Sequence, residues 1–182
     1  LNIGFSNLSF IDQHLFSENY TISASNNSFQ SNTSGINWNT ERLEYFSDEG
    51  KLNIYDLELI ISKNNLPFYR SKMLSASKFD LSKLIFNDQL FLENLQIEAP
   101  QIWLAKRNNI RDKSSSFPID IRINQIKIKE GELDWDERAL SLKQINLQAE
   151  NIEVPKDYSG PYEEIFAEVF GDIGSMYWDH AI

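Results

Sequence analysis

The apolar residues of this chain repeatedly break step. In "LFLENLQI", Leu90 and Leu92 sit two apart, and two residues then intervene before Leu95 and Ile97. Strict alternation would put Leu90, Leu92 and Asn94 on one side of a strand, so the extra residue moves the apolar side to the opposite parity. The strand bulges there, or it turns. The same spacing recurs at Ile3/Phe5 with Leu8/Phe10, at Leu52/Ile54 with Leu57/Leu59, at Ile121/Ile123 with Ile126/Ile128, and at Leu140/Leu142 with Ile145/Leu147. In a chain that is 41% apolar, the four apolar positions alone recur by chance roughly five times, so only the stricter form is informative. Requiring polar or glycine spacers keeps the copies at Ile3, Ile121 and Leu140, where chance gives roughly half of one.

Period-two patterning dominates from Leu1 to about Val154, with Asn, Asp, Ser and Gly between apolar pairs, which signals many short antiparallel strands. Bulges at the recurrent offset add twist and curvature. The predicted fold is mainly β: an antiparallel, strongly twisted sheet forming a half-open groove over residues 1–155, followed by an amphipathic helix and tail over 156–182.

Individual segments refine this. "LQIEAPQIWLAKR" reads as two short strands hinged at Pro100. In "GKLNIYDLELIIS", simple alternation puts Tyr55, Leu57, Leu59 and Ile61 on one face and Asp56 and Glu58 on the other. Asp80 is placed to cap a helical turn, predicting a short helix near 80–86. "KRNNIRDKSSSFP" is polar, ends at Pro118 and reads as a solvated loop. "KEGE" around Gly131 and "DER" around Glu137 supply turns, predicting neighbouring strands near 119–129, 132–136 and 139–154. In the tail, Tyr162, Ile165, Phe166, Val169, Phe170 and Ile173 share a helical face, with Pro161 in the first turn, predicting a helix over 161–171.

Composition narrows function. A formal charge of −10, from 27 acidic and 17 basic residues, repels nucleic-acid phosphates and anionic headgroups, so no nucleic-acid partner is expected. No cysteine is present, which removes disulfides, a thiol nucleophile and thiolate metal sites. The two histidines, His14 and His180, have no metal-spaced partner, and no cofactor is expected. "DWDE" offers Asp134, Asp136 and Glu137 for glycoside cleavage. On a strand, however, Asp134 and Asp136 share an outer face while Trp135 points the other way, and a non-enzymatic chain is expected. No apolar run reaches the roughly 18 to 20 residues of a membrane-spanning helix. A chain opening on Leu1 rather than Met implies an upstream region that has been removed.

Two stretches carry a family resemblance. Leu95, Ile97, Pro100, Ile102 and Leu104 fit a pattern l-x-i-x-x-P-x-i-x-l, and Ile126, Ile128, Gly131, Leu133 and Trp135 fit i-x-i-x-x-G-x-l-x-w. Over about Gly50 to Val154 the chain resembles AsmA-like proteins of the bacterial envelope. The resemblance implies a periplasmic β-groove segment in outer-membrane biogenesis that binds or conducts phospholipid. It also implies envelope-protein partners and an inner-membrane anchor upstream of Leu1. The chain departs from the family in lacking the anchor and in being too short to span the periplasm. The lining expected for the groove is Leu57, Leu59, Leu95, Ile97, Ile102, Leu104, Ile126, Ile128, Leu133 and Trp135. The alternative is a structural or protein-binding β-sandwich module whose apolar faces fill each other, without lipid cargo.

Overall fold

A computed structural model describes residues 1–11, 14–30, 36–61, 66–104, 119–135, 140–158, 165 and 168–178. In chain order the elements are β1 (Asn2–Ile11), β2 (His14–Gln30), β3 (Ile36–Phe46), β4 (Lys51–Ile61), β5 (Leu66–Ser77), α1 (Leu81–Asn87), β6 (Gln89–Glu98), β7 (Gln101–Leu104), β8 (Asp120–Trp135), β9 (Leu140–Val154) and β10 (Glu168–Trp178). The ten strands form one sheet in the order β1-β2-β3-β4-β5-β6-β8-β9-β10. β7 continues β6 in the same slot, pairing β5 on one side and β8 on the other. The break between them falls at Ala99 and Pro100. Proline has no N–H to give a ladder, so the hinge follows from the sequence. The mainly β, largely antiparallel architecture is as expected. The exception is that β6 and β7 run parallel to β8.

The offsets in the copies beginning at Leu52 and Leu140 are bulge-like, whereas those beginning at Leu90 and Ile121 contain no left-handed residue. Asn26, Asp56, Ala99, Glu130, Gln144 and Asn151 all have φ between 46° and 55°, and each is the second residue of a two-residue spacer. A left-handed residue absorbs the extra position, so apolar side chains return to the original face. The residues at this level are register partners: Ser25, Arg42, Tyr55, Met73, Glu98 and Lys129 pair in succession from β2 to β8. Because adjacent strands make the insertion at the same level, pairing is kept across this crease. Tyr55 accordingly leaves the apolar face expected for it. The Arg42 guanidinium lies 4.2 Å from its ring centroid, and its hydroxyl donates to Glu44 Oε2 at 3.4 Å.

Gly131 is not a turn. β8 runs through it, with register shifts against β9 on either side. The first is the extra residue at Glu130 and the second is the compensating one at Gln144. Glycine allows close approach: a Cβ there would lie 3.2 Å from Ile128 Cγ2 and 3.3 Å from both Pro100 Cγ and the Ile145 carbonyl oxygen, tighter than ordinary contact. The expected turn around Glu137 lies outside the described residues, as does the loop expected over Lys106 to Pro118.

Glu130 holds its left-handed backbone without glycine, and its N–H donates to Asn146 Oδ1 at 3.1 Å. Glu130→Gly keeps that bond and relieves the steric cost, against some loss of chain entropy. It should therefore raise unfolding stability by roughly 0.5 to 1 kcal/mol. The measurement is the urea midpoint at unchanged slope; an unchanged or lower midpoint would mean that the Glu130 side chain carries a stabilising contact.

The helix near residue 80 forms as expected. Asp80 Oδ1 accepts from the N–H groups of Ser82 at 3.0 Å and Lys83 at 3.2 Å. Hydrogen bonding from the Ser82 side chain, and then from these N–H groups, holds the Asp80 carboxyl below the usual range. The cap is thus in place above the ordinary carboxylate pKa and is lost as pH falls through the depressed one. The helix expected over 161–171 is not borne out. From Glu168 the chain is strand β10, fully paired along β9, while 161–164, 166 and 167 lie outside the described residues. Period-two pairing wins because Gly171 and Gly174 weaken a helix interior and here let β10 seat directly on Leu147 and Gln144.

The expected periplasmic placement through an inner-membrane anchor is corrected. Among the described residues no helix is long and apolar enough to cross a membrane.

Candidate apolar binding face

Residues paired across strands share a face of the sheet, so the register alone places the apolar side chains. One row crosses nine strands: Ile3, Ile22, Tyr45, Leu52, Ala76, Leu95, Ile126, Ala149 and Val169. A second runs Ala24, Leu43, Ile54, Leu74, Ile97, Ile128, Leu147 and Gly171. Beyond the crease a third runs Phe29, Trp38, Leu59, Tyr69, Ile102, Leu133, Leu142 and Met176. A shorter row of Leu104, Trp135, Leu140 and Trp178 closes this end. At the opposite end Leu92, Ile123 and Ile152 pair, as do Leu90, Ile121 and Val154.

Nine of the ten residues expected to line a groove fall in these rows. Leu59, Ile102 and Leu133 share the third, Leu104 and Trp135 the fourth, Leu95 and Ile126 the first, and Ile97 and Ile128 the second. Leu57 stands between rows, buried at the crease opposite Ser71. Sequence reasoning missed Trp38, Tyr69, Ile145, Ile173 and Met176. Ile145 carried a usable signal, because it belongs to the offset copy beginning at Leu140.

The two ends differ in what covers them. At one end the rows are filled by the protein itself. Tyr45, Ala76, Leu92, Ile123, Ile152 and Val154 are buried with Phe79 and Ile165, and Leu81 and Leu84 of α1 and Tyr158 pack on them. Tyr45 meets Phe79 edge to face at 5.4 Å between ring centroids. At the other end no described residue covers the rows in this way: Leu104, Trp135 and Met176 are 42%, 49% and 65% exposed. Phe29 and Trp38 stack there at 4.1 Å, their planes 8° apart. Between the ends a half-open pocket of about 240 Å³ is bounded by Pro100, Ile102, Ile128, Leu133, Leu142, Ile145, Leu147 and Ile173, with Glu132 the one charged neighbour among the described residues. Ile128 precedes the bulge of β8 and Leu147 follows that of β9, yet they meet Leu133 and Leu142 in one pocket. The apolar face is therefore continuous through the irregularity.

The reverse face is polar. Asn39 Nδ2 donates to Glu58 Oε2 at 3.4 Å, Arg70 Nε donates to Glu58 Oε1 at 2.7 Å, and Gln101 Nε2 donates to Glu132 Oε2 at 3.4 Å, forming a ladder across the sheet. The Arg70 guanidinium lies 5.6 Å from the Trp103 ring centroid. Further along, Gln125 Nε2 donates to Glu150 Oε1 at 3.2 Å, and Ser75 Oγ donates to Asn53 Oδ1 at 2.8 Å.

No catalytic constellation assembles among these residues. Asp134 faces Ser141 and Trp103 across the strands rather than a second carboxylate. Asp136, Glu137 and His180 lie outside the described residues, and of His14 only the backbone is described. No group of three or more His, Cys, Asp or Glu among the described residues is arranged to hold a metal ion. No family model matches the chain, and neither a curated protein nor a solved structure matches it.

Proposed function

We propose that the uncovered half of the apolar face binds or conducts phospholipid acyl chains, in a non-enzymatic protein serving outer-membrane assembly. The carrying observation is the arrangement of apolar rows on one face of a single sheet, filled at one end and open at the other. A sandwich would cover both ends with a second sheet, whereas all ten described strands belong to one. Each methylene removed from water contributes on the order of 0.8 kcal/mol, so a few carbons along the row from Trp38 to Met176 suffice for retention. The headgroup stays in water at the margin, where the acidic character of the chain favours zwitterionic over anionic lipid. The resemblance to AsmA-like proteins over Gly50 to Val154 supports the same reading.

Native mass spectrometry after incubation with phosphatidylethanolamine tests it. Retained lipid, in a ratio that saturates, is the expected result. A clean protein mass under the same conditions would overturn the proposal.

A further inference from the structure

The apolar rows end on a strand that is paired on one side. Among the described residues β10 pairs with β9 alone. Its eleven residues, "EVFGDIGSMYW", contain no proline, lysine or arginine. Proline and lysine are among the devices by which edge strands ordinarily resist pairing with another chain. Val169 and Met176, which terminate apolar rows through Ala149 and Leu142, and Ile173, paired with Ile145, are 55%, 65% and 51% exposed, with no described strand on their outer side. A strand laid along this edge would satisfy backbone groups and cover these side chains together.

Charge selects the kind of strand. The ionised side chains of β10 are Glu168 and Asp172, and the chain as a whole carries −10. Asp172 stands on the polar face, where its Oδ2 accepts from Asn146 Nδ2 at 3.0 Å. Pairing β10 with the β10 of a second copy would bring acidic residues to acidic residues.

We propose that β10 is a docking edge for an extended segment of a partner protein, added antiparallel to the sheet. The segment is apolar at alternate positions, toward the rows, and basic at the intervening positions, toward Asp172. This edge adjoins the apolar face and shares Ile173 and Met176 with it, but the proposal does not rest on lipid binding and its test uses no lipid.

The probe is an eleven-residue peptide alternating valine and lysine, titrated against the whole chain by calorimetry. The expected result is saturable binding with slowed amide exchange in β10. A valine–glutamate counterpart should bind at least tenfold more weakly. N-methylation of alternate residues along one edge of the peptide should abolish binding, and along the other edge should leave it intact. Asp172→Lys should reverse the preference between the two peptides. Equal binding by a scrambled peptide, or indifference to N-methylation on either edge, would overturn the proposal. So would sedimentation showing that β10 already pairs with a second copy.

Discussion

Leu133→Asp should abolish phospholipid uptake while leaving the sheet folded. Leu133 lies at the centre of the third apolar row, between Ile102 and Leu142, and borders the half-open pocket. Without lipid a carboxylate at half-buried Leu133 reaches water through the pocket mouth, and the cost is the poor strand propensity of aspartate plus part of the leucine burial, about 2 kcal/mol. With lipid over it the charge must be desolvated without a partner, or the acyl chain must lift away. Lifting about four methylenes forfeits about 3 kcal/mol, a loss of a hundredfold or more in affinity. Aspartate is the stringent choice, because a lysine stem would cover the floor while its ammonium reached water. Lys127→Asp is the matched control: it adds a carboxylate one residue from Ile128, on the reverse face beside Gln96 and Gln148. Uptake by Lys127→Asp should equal that of the parent chain. Undiminished uptake by Leu133→Asp, or equal damage from both, would remove the apolar face as the lipid site.

Much of that face was legible because its signal is local. Alternation identified strands, and the repeated two-residue spacer marked where alternation resumes. The spacer alone left bulge and turn unresolved, since the answer depends on the neighbouring strand. Gly131 illustrates this: flanked by glutamates, it has the local chemistry of a turn, yet the spacer at Lys143 and Gln144 of β9 compensates the one at Lys129 and Glu130. The parallel pairing of β6 and β7 with β8 was equally hidden. Strand direction there follows from the long connection after Leu104, and nothing in the apolar pattern of either strand records it. The tail failed differently. Val169 and Ile173 satisfy a helical period as well as a strand containing a spacer at Gly174 and Ser175, and pairing with β9, which sends Phe170 to the reverse face, decided between them. The two glycines were the available evidence, since a helix is weakened by them and this edge strand needs them.

The same deletion should have opposite consequences at the two ends of the sheet. Leu92 is 4% exposed and packs among Ile123, Ile152 and the residues under α1. Leu92→Ala removes buried carbon and leaves a cavity whose walls are β-sheet, with little freedom to collapse, so the expected loss is about 2 to 5 kcal/mol. Against a typical total of about 5 to 15 kcal/mol, that is enough to shift the urea midpoint strongly or to populate the unfolded chain. Met176→Ala, at the uncovered end, deletes a side chain that is 65% exposed, and should change stability by no more than about 0.5 kcal/mol. Urea unfolding of the two variants measures the contrast directly. Its physical basis is that one end, closed by Phe79, α1 and Ile165, supplies the packing energy that keeps a single-layer sheet folded. The other end can then leave its apolar surface unfilled. Equal losses at Leu92 and Met176 would mean that both ends are packed alike, and an apolar face with no unfilled half has no room for a guest.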